Sequence, residues 1–347
     1  MIVGPTFINH ARSNRILRAI RAPLLFALAV VAAMADTRIE SIPDQPFFSF
    51  EYRRATDFSG IVWAGGSDYY AVSDKVNGIF PMRISIDPAT GKVQTVTVGV
   101  MIPVKSKLGD FEGITFVPET QRICISAERG DGIVGFNLPQ RTSFPVPVPP
   151  VFARARKNKS LESLTFDADA GNFWTANEEA LRGDGPLSGP DQGTVVRLQK
   201  FDRQFKPLAQ YAWRTEPSGI RVSGAGTGVS DLALLPTGEL LVLERTAGHL
   251  GLGAKIFRVD FDGATDISEI PALEGAKFKP AGKKLIFERA TCTHNFEGIA
   301  LGTKLAGGWR SLLLIADSGG GTTHSLMPLR IRWNTRPAEK HNAGGSR

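Results

Sequence analysis

The sequence predicts an all-β protein, specifically a β-propeller of four-stranded antiparallel blades. Few segments show the apolar recurrence of a surface helix, whereas short alternating runs rich in Val, Ile, Phe and Thr lie between clusters of Gly, Pro and Asp. A four-residue motif repeats five times, each time before a turn and a strand that ends in an acid. With 347 residues, 42% apolar and 22% charged, the chain is long enough for one large core or two modest domains.

The repeated motif consists of an apolar residue, an acidic or small polar residue, a small residue and an aliphatic residue. Its copies begin 53, 50, 68 and 67 residues apart, a spacing that fits one four-stranded blade plus a loop. The copies are Phe58-Ser59-Gly60-Ile61, Phe111-Glu112-Gly113-Ile114, Leu161-Glu162-Ser163-Leu164, Val229-Ser230-Asp231-Leu232 and Phe296-Glu297-Gly298-Ile299.

Each copy starts the first strand of a predicted blade, and a second and a third strand follow it. The second strands end at Asp74, Glu128, Glu178, Glu244 and Asp317. The third strands cover residues 79–86, 133–137, 194–198, 255–261 and 326–333. Five blades are therefore visible, residues 266–289 leave room for a sixth, and residues 47–52 are expected to close the ring by pairing with the last blade. A β-sandwich is the alternative, but acids recurring at two positions per copy favour the propeller.

The two sets of acids are expected to converge at one mouth of the central channel. The first strand of a blade lies innermost and the second runs antiparallel to it, so the start of one and the end of the other share a face. Carboxylates this close raise one another's pKa unless a cation neutralises them. Without a Cys or His pair at zinc spacing, hard oxygen ligands favour calcium or magnesium, and calcium is preferred for its flexible coordination. The expected metal ligands are Glu112, Glu162, Asp231 and Glu297, with Ser59 at the same place in the first copy.

Basic residues recur beside the outer acids. Lys75, Arg129 and Arg245 each directly follow one of them, and Arg182 follows Glu178 by four residues. One interpretation is that these side chains brace the blades through salt bridges and that no metal binds. The other is that Lys75, Arg129 and Arg245 bind an anionic substrate, phosphate or carboxylate, next to the metal.

A histidine and two cysteines are further candidates. His294 lies just before the last copy of the motif and is a candidate general acid, while the alternative is a solvated side chain. Cys124 and Cys292 either form a disulfide in an oxidising compartment or, for Cys124, fill a small space in a strand.

The N-terminus predicts export. Four Arg and no acid precede an apolar stretch that ends in Ala33-Met34-Ala35, so residues 1–35 are predicted to be a signal peptide; the alternative, a membrane anchor, needs a longer apolar run. Removing these residues leaves 37 Lys and Arg against 34 Asp and Glu, a net charge of +3 instead of +7. No basic stripe supports nucleic-acid binding. We expect a periplasmic or secreted monomer without a membrane span, and a disordered tail at residues 334–347.

The repeated Phe-Glu-Gly-Ile, the Leu-Glu-Ser-Leu at residues 161–164 and the acid-terminated second strands resemble the phytase-like domain family, "esterase-like activity of phytase". The resemblance covers roughly residues 55–330, nearly all of residues 36–333, which are expected to be a single propeller domain. It implies an exported bacterial protein in which Glu112 and Glu297 serve catalysis, calcium is held by the four inner acids, and Arg129 or Arg245 clamps phosphate. Ser59 departs from the pattern, because an acid is expected there.

Three functions are therefore compared. The first is a calcium-dependent hydrolase of phosphate esters acting on a small anionic substrate. The second is a calcium-dependent lactonase or carboxylic esterase, in which Asn177 and Asn295 would be neutral ligands. The third is a secreted propeller that binds a ligand without catalysis.

Overall fold

The computed structural model describes Met1 and residues 37–248 and 251–333. Five antiparallel sheets stand around a central channel, and their innermost strands contact one another in cyclic order, the last contacting the first. This is a five-bladed propeller, so the predicted all-β fold is confirmed. The part of the chain that the structure describes contains three short 3-10 turns and no α-helix.

The strands are numbered in chain order. Two short strands come first, β1 (Arg38–Ser41) and β2 (Phe48–Glu51). Blade 1 contains β3 (Phe58–Gly65), β4 (Asp68–Ser73), β5 (Val76–Ile86), β6 (Val93–Val98) and the short β7 (Ile102–Pro103). Blade 2 contains β8 (Gly109–Val117), β9 (Arg122–Arg129), β10 (Gly132–Asn137) and β11 (Thr142–Val146). Blade 3 contains β12 (Leu161–Asp167), β13 (Asn172–Asn177), β14 (Val195–Phe201) and β15 (Pro207–Arg214). Blade 4 contains β16 (Gly226–Leu234), β17 (Leu240–Gly248), β18 (Gly251–Asp260) and β19 (Gly282–Cys292). Blade 5 contains β20 (Asn295–Lys304), β21 (Arg310–Asp317) and β22 (Thr323–Arg332).

The N-terminal strands close the ring. Both β1 and β2 pair antiparallel with β22, with Phe48 opposite Leu326, so they supply the outer edge of blade 5. The expected pairing of residues 47–52 with the last blade is therefore confirmed. Covering the edge of β22 in this way removes an open row of backbone hydrogen-bonding groups.

No sixth blade forms among the described residues. The stretch expected to hide one ends in β19, which pairs with β18 as the outer strand of blade 4. The residues before β19 run along β15 instead, where Ile267 and Ala281 donate backbone hydrogen bonds of 2.8 Å to Gln210 and Ala212. This segment is used to cover the edge of blade 3, so too little chain is left for another sheet.

The apolar core lies between the faces of neighbouring blades. The aliphatic residue that closes each copy of the motif is at most 3% exposed, and each of the five belongs to a different apolar cluster. These residues are Ile61, Ile114, Leu164, Leu232 and Ile299. The repeated motif therefore anchors each innermost strand between its neighbours, and this burial fixes which way the adjacent side chains point.

Other sequence predictions have different outcomes. Cys124 is a free thiol buried in β9, so the disulfide with Cys292 does not form. Apart from Met1, the predicted signal peptide at residues 1–35 lies outside the described residues. The predicted disordered tail at residues 334–347 lies outside them as well. Within the described ranges, no helix has the length and apolarity needed to cross a membrane.

Candidate functional site

One mouth of the channel is an acidic cavity of about 230 Å³. It is formed where the innermost strands begin and the second strands end, as the sequence predicts. Eight carboxylates line it, against two cationic side chains. The lining acids are Asp57, Asp74, Glu112, Glu128, Glu162, Glu178, Glu297 and Asp317, and the cations are Lys159 and Arg245.

Each innermost strand has a β-bulge at this end, and in four of the five blades the extra residue lines the cavity. In β8, for example, Glu112 and Gly113 together oppose a single residue of β9, and the other four blades repeat this two-against-one arrangement. A bulge re-aims the extra residue and is common beside functional sites. The extra residues are Ser59, Glu112, Glu162, Ser230 and Glu297. Three of the four predicted metal ligands thus lie together.

Asp231 does not lie with them. In blade 4 the bulge residue is Ser230, and Asp231 takes the next position, occupied by Gly or Ser in the other blades. Its carboxylate is buried and accepts hydrogen bonds from the backbone N–H groups of Leu232 at 2.8 Å and Ile299 at 2.9 Å. Neighbouring positions in a strand face opposite sides of the sheet. Because Asp231 lies one residue after the bulge, its side chain points towards blade 5 and not into the cavity.

The outer acids show the same shift in blade 4. In blade 4, Glu244 pairs with Val229, the first residue of the motif. In blade 2, the residue that pairs with the first residue of the motif is Ala127, and Glu128 comes next. Glu244 therefore lies one residue before the position that Glu128 has in blade 2. Its carboxylate instead accepts hydrogen bonds from the Trp213 indole at 2.8 Å and from the backbone of Glu216 at 2.9 Å. The position equivalent to Glu128 is occupied by Arg245, so blade 4 contributes a cation where the other four contribute an acid.

Arg245 and Lys159 neutralise one side of the cavity. Arg245 donates to Glu178 at 2.7 Å and to Glu297 at 2.6 Å, and so joins an outer acid to an inner acid. The Lys159 ammonium donates to both oxygens of Glu178, at 2.9 and 2.8 Å, and lies 3.2 Å from Glu179. Charge-assisted bonds of this kind hold both cations in fixed positions.

Glu112 and Glu162 differ from the other acids that line the cavity. Among the described residues, no hydrogen bond or ion pair reaches either carboxylate, although Glu112 is 9% and Glu162 is 5% exposed. Burial, followed by repulsion from the neighbouring acids, raises the pKa of both well above the usual range. Two buried carboxylates in this state either hold protons or bind a cation.

Three groups of acids have the spacing of a metal site. Within each group, one oxygen of every member lies within 4.8 Å of the others. Calcium binds oxygen at about 2.3–2.6 Å, so two ligands across the ion are up to about 5 Å apart, and the groups fit it. The absence of His and Cys from them disfavours zinc. The groups are Asp74, Asp110 and Glu112; Glu112, Glu162 and Glu297; and Glu128, Glu162 and Glu178.

The remaining predicted site residues lie at or beyond the rim. Lys75 pairs with Asp74 and lies 3.8 Å from Asp57, with 57% of its side chain exposed. Arg129 is exposed, and its guanidinium lies over Gly109. His294 packs its ring against Phe47, with ring centroids 4.4 Å apart. Neither Arg129 nor His294 lines the cavity.

Sequence reasoning missed Lys159, Asp57 and Asp110. Lys159 ends a basic run, residues 154–159, that belongs to no copy of the motif, and only the turn before β12 brings it over Glu178. The two acids had a signal, because each directly precedes a copy of the motif and therefore starts an innermost strand.

The raised pKa values predict a pH-dependent stability. Burial raises the pKa of Glu128 to about 7, and burial, opposed by Arg245, raises that of Glu297 to about 7. Between the unfolded pKa of about 4.5 and the folded pKa of about 7, the folded state keeps protons that the unfolded chain releases. The contribution of these two groups to the free energy of unfolding is therefore complete below about pH 4.5 and is lost as the pH rises through about 7. In chelator, the melting temperature is expected to fall by about 5 °C or more from about pH 5 to about pH 8, and calcium at about pH 8 should restore it. A melting temperature that rises over this interval in chelator would contradict the assignment.

Solved structures similar to this chain share little sequence with it. The endo-arabinase from Bacteroides thetaiotaomicron VPI-5482 has 14% identity and a TM-score of 0.43 over 80% of this chain and 94% of that one. The WD40 repeats of RRP9 have 10% identity and a TM-score of 0.40 over 84% of this chain and 100% of that one. These likenesses say nothing about activity. No curated protein matches the chain.

A family model covers most of the chain. The phytase-like model, described as "Esterase-like activity of phytase", matches residues 53–319. The match spans all five innermost strands and every residue that lines the acidic cavity. This chain therefore belongs to the phytase-like family.

Proposed function

We propose that this protein is an exported, calcium-dependent hydrolase of phosphate esters, acting at the acidic mouth of the channel. The observation that carries the proposal is that one cavity combines two buried, unpaired carboxylates with two cationic side chains. Among the described residues no ion pair reaches Glu112 or Glu162, while Arg245 and Lys159 line the same cavity. Membership of the phytase-like family supports a metal-dependent hydrolase, and the N-terminal sequence pattern supports export.

Glu112, Glu162 and Glu297 would hold calcium, with Asp74 and Asp110 as additional ligands, and Glu297 would be shared with Arg245. The chemistry that calcium supplies when bound is polarisation of a phosphoryl oxygen and a lower pKa of water. Bound calcium would also remove the repulsion between Glu112 and Glu162. Asp231 and Glu244 are left out of this role because their carboxylates are engaged elsewhere in the blades.

In the same cavity, Arg245 and Lys159 would orient the anionic group of the substrate. Both already donate to Glu178, which keeps them next to each other. Glu128 is the better candidate for general acid than His294, because it lines the cavity and burial raises its pKa to about 7. A pKa near the working pH lets a carboxyl group give a proton to the leaving oxygen.

The lactonase alternative lacks one of its ligands. Asn177 is fully buried, its amide donates to the backbone of Glu179 at 2.5 Å, and its oxygen accepts from the backbone of Arg197 at 2.9 Å. Asn295 contacts Glu297 and Arg245 and is closer to the cavity. The geometry therefore favours an all-carboxylate metal site.

The test is a parallel assay of one metal-quantified preparation of the mature protein. We expect it to carry calcium and to hydrolyse 4-nitrophenyl phosphate faster than a lactone or a carboxylic ester, with the activity lost in chelator and regained with calcium. Hydrolysis of the lactone without hydrolysis of the phosphate ester would overturn the proposal in favour of the lactonase. Bound calcium without turnover of any ester would indicate a ligand-binding propeller.

A further inference from the structure

A groove of about 610 Å³ lies on blade 2, outside the acidic cavity. It runs between the segment 105–108, the β9–β10 turn and the edge strand β11. Its walls are mostly apolar, with Leu108, Phe144 and Val148 half-buried and Ile133 and Val146 buried beneath. The volume lies within the range of small-molecule sites, about 300–1,000 Å³.

The groove opens at the same end of blade 2 as the acidic cavity. Gly109 pairs with Arg129 at the start of β8, and Ile133 pairs with Val146 at the matching ends of β10 and β11. One turn joins the two spaces: Glu128 faces the cavity, Asp131 lines the groove, and the backbone N–H of Asp131 donates to the Glu128 carbonyl at 3.3 Å. The groove and the candidate site thus lie at the same end of blade 2, on either side of one turn.

The inner wall of the groove is held in place. The Leu108 side chain lies over Gly130 and Gly132, where an added Cβ would come within 2.4 and 2.8 Å of its methyl groups. Asn77 donates a 2.8 Å hydrogen bond to the Leu108 carbonyl. Because the two glycines leave just enough room for this leucine, the groove keeps its apolar lining beside the acidic mouth.

The charge of the groove indicates the occupant. Lys105 and Lys107 stand exposed on its rim, and in residues 37–248 and 251–333 neither ammonium forms an ion pair. The acid in the groove, Asp131, accepts a 2.6 Å hydrogen bond from Ser160. An anionic molecule with an apolar body matches this combination of apolar walls and two lysines.

We propose that this groove binds the apolar leaving group of an anionic ester whose charged head enters the acidic cavity. This rests on the proposed function and names its substrate class: aryl or long-chain alkyl phosphate esters rather than phosphorylated polyols. A polyol would leave the walls around Leu108 and Phe144 exposed to water, whereas an aromatic or alkyl group covers them. The cavity of about 230 Å³ then needs to admit only the charged group.

The test uses binding and turnover together. Naphthalene-2-sulfonate, which cannot be hydrolysed, is titrated by fluorescence into wild type, Leu108→Asp and Val148→Asp, and KM is measured for 2-naphthyl phosphate and glycerol 2-phosphate. Each wall variant should weaken the sulfonate and raise KM for the naphthyl ester at least about tenfold, while KM for glycerol 2-phosphate stays within about twofold. Val100→Asp, which changes a 76% exposed residue outside the groove, is the matched control and should bind as wild type.

Each outcome decides one of the two proposals. Folded wall variants that bind the sulfonate like wild type would overturn the groove proposal. A wild type that binds the sulfonate in the groove but hydrolyses no ester would overturn the proposed function alone. If the wall variants unfold, Lys105→Gln/Lys107→Gln changes only exposed side chains and should still weaken sulfonate binding about threefold or more; unchanged binding there counts against the groove.

Discussion

Glu112→Gln and Glu162→Gln are each expected to abolish calcium binding and to lower phosphate-ester hydrolysis by about 100-fold or more. These two carboxylates line the cavity without an ion-pair partner among the described residues, and each belongs to two of the groups with metal spacing. Replacing one oxygen by an amide nitrogen removes both the charge and a ligand atom. Calcium titration by calorimetry and steady-state kinetics measure the two effects on the same preparation.

The same substitutions should stabilise the metal-free protein. Burial and repulsion raise the pKa of Glu112 and Glu162, so the metal-free fold must either keep a buried charge or take up a proton at neutral pH, and a neutral amide avoids both costs. Loss of calcium binding together with a higher melting temperature in chelator separates a metal ligand from a structural acid. Glu119→Gln, in the turn at the far end of the same hairpin, is the control and should leave calcium binding and activity unchanged. Full activity in both cavity variants would exclude the metal site.

Asp231→Ala is expected to destabilise the protein by about 2–4 kcal/mol while leaving the calcium stoichiometry unchanged. The carboxylate satisfies the backbone N–H groups of Leu232 and Ile299, the second of which belongs to the next blade. Alanine leaves these buried donors without an acceptor and removes a link between blades 4 and 5. Urea denaturation of the calcium-loaded and calcium-free protein measures the loss.

Ser230→Ala is the matched control for Asp231→Ala. Ser230 is the adjacent bulge residue, and its hydroxyl makes only a 3.5 Å contact with the Leu243 carbonyl, so this variant should be nearly as stable as wild type. If Asp231→Ala instead loses one calcium ion at unchanged stability, Asp231 is a ligand as the sequence motif suggested.

The sequence alone determined the architecture and the location of the site. Five copies of one motif, each placing an aliphatic residue between blades, are sufficient to predict the propeller, because apolar burial repeats with the blade. The same repetition predicts acids at one mouth, since the start of the first strand and the end of the second share a face. Ser59, Glu112, Glu162 and Glu297 follow directly from it.

Only the tertiary structure decided what blade 4 contributes. Matching acid to acid along the sequence aligned Asp231 and Glu244 with the cavity, whereas strand pairing puts Ser230 at the bulge position and Arg245 in the cavity. The residue pattern does not reveal an offset of one position along a strand. Such an offset moves a side chain to the opposite face of the sheet. The lysine over Glu178 and the groove beside Glu128 depend on contacts between segments far apart in the chain, which burial and loop packing fix. The carboxylate ring predicted from the sequence is therefore interrupted by an arginine, which pairs with Glu178 and Glu297 at the acidic mouth.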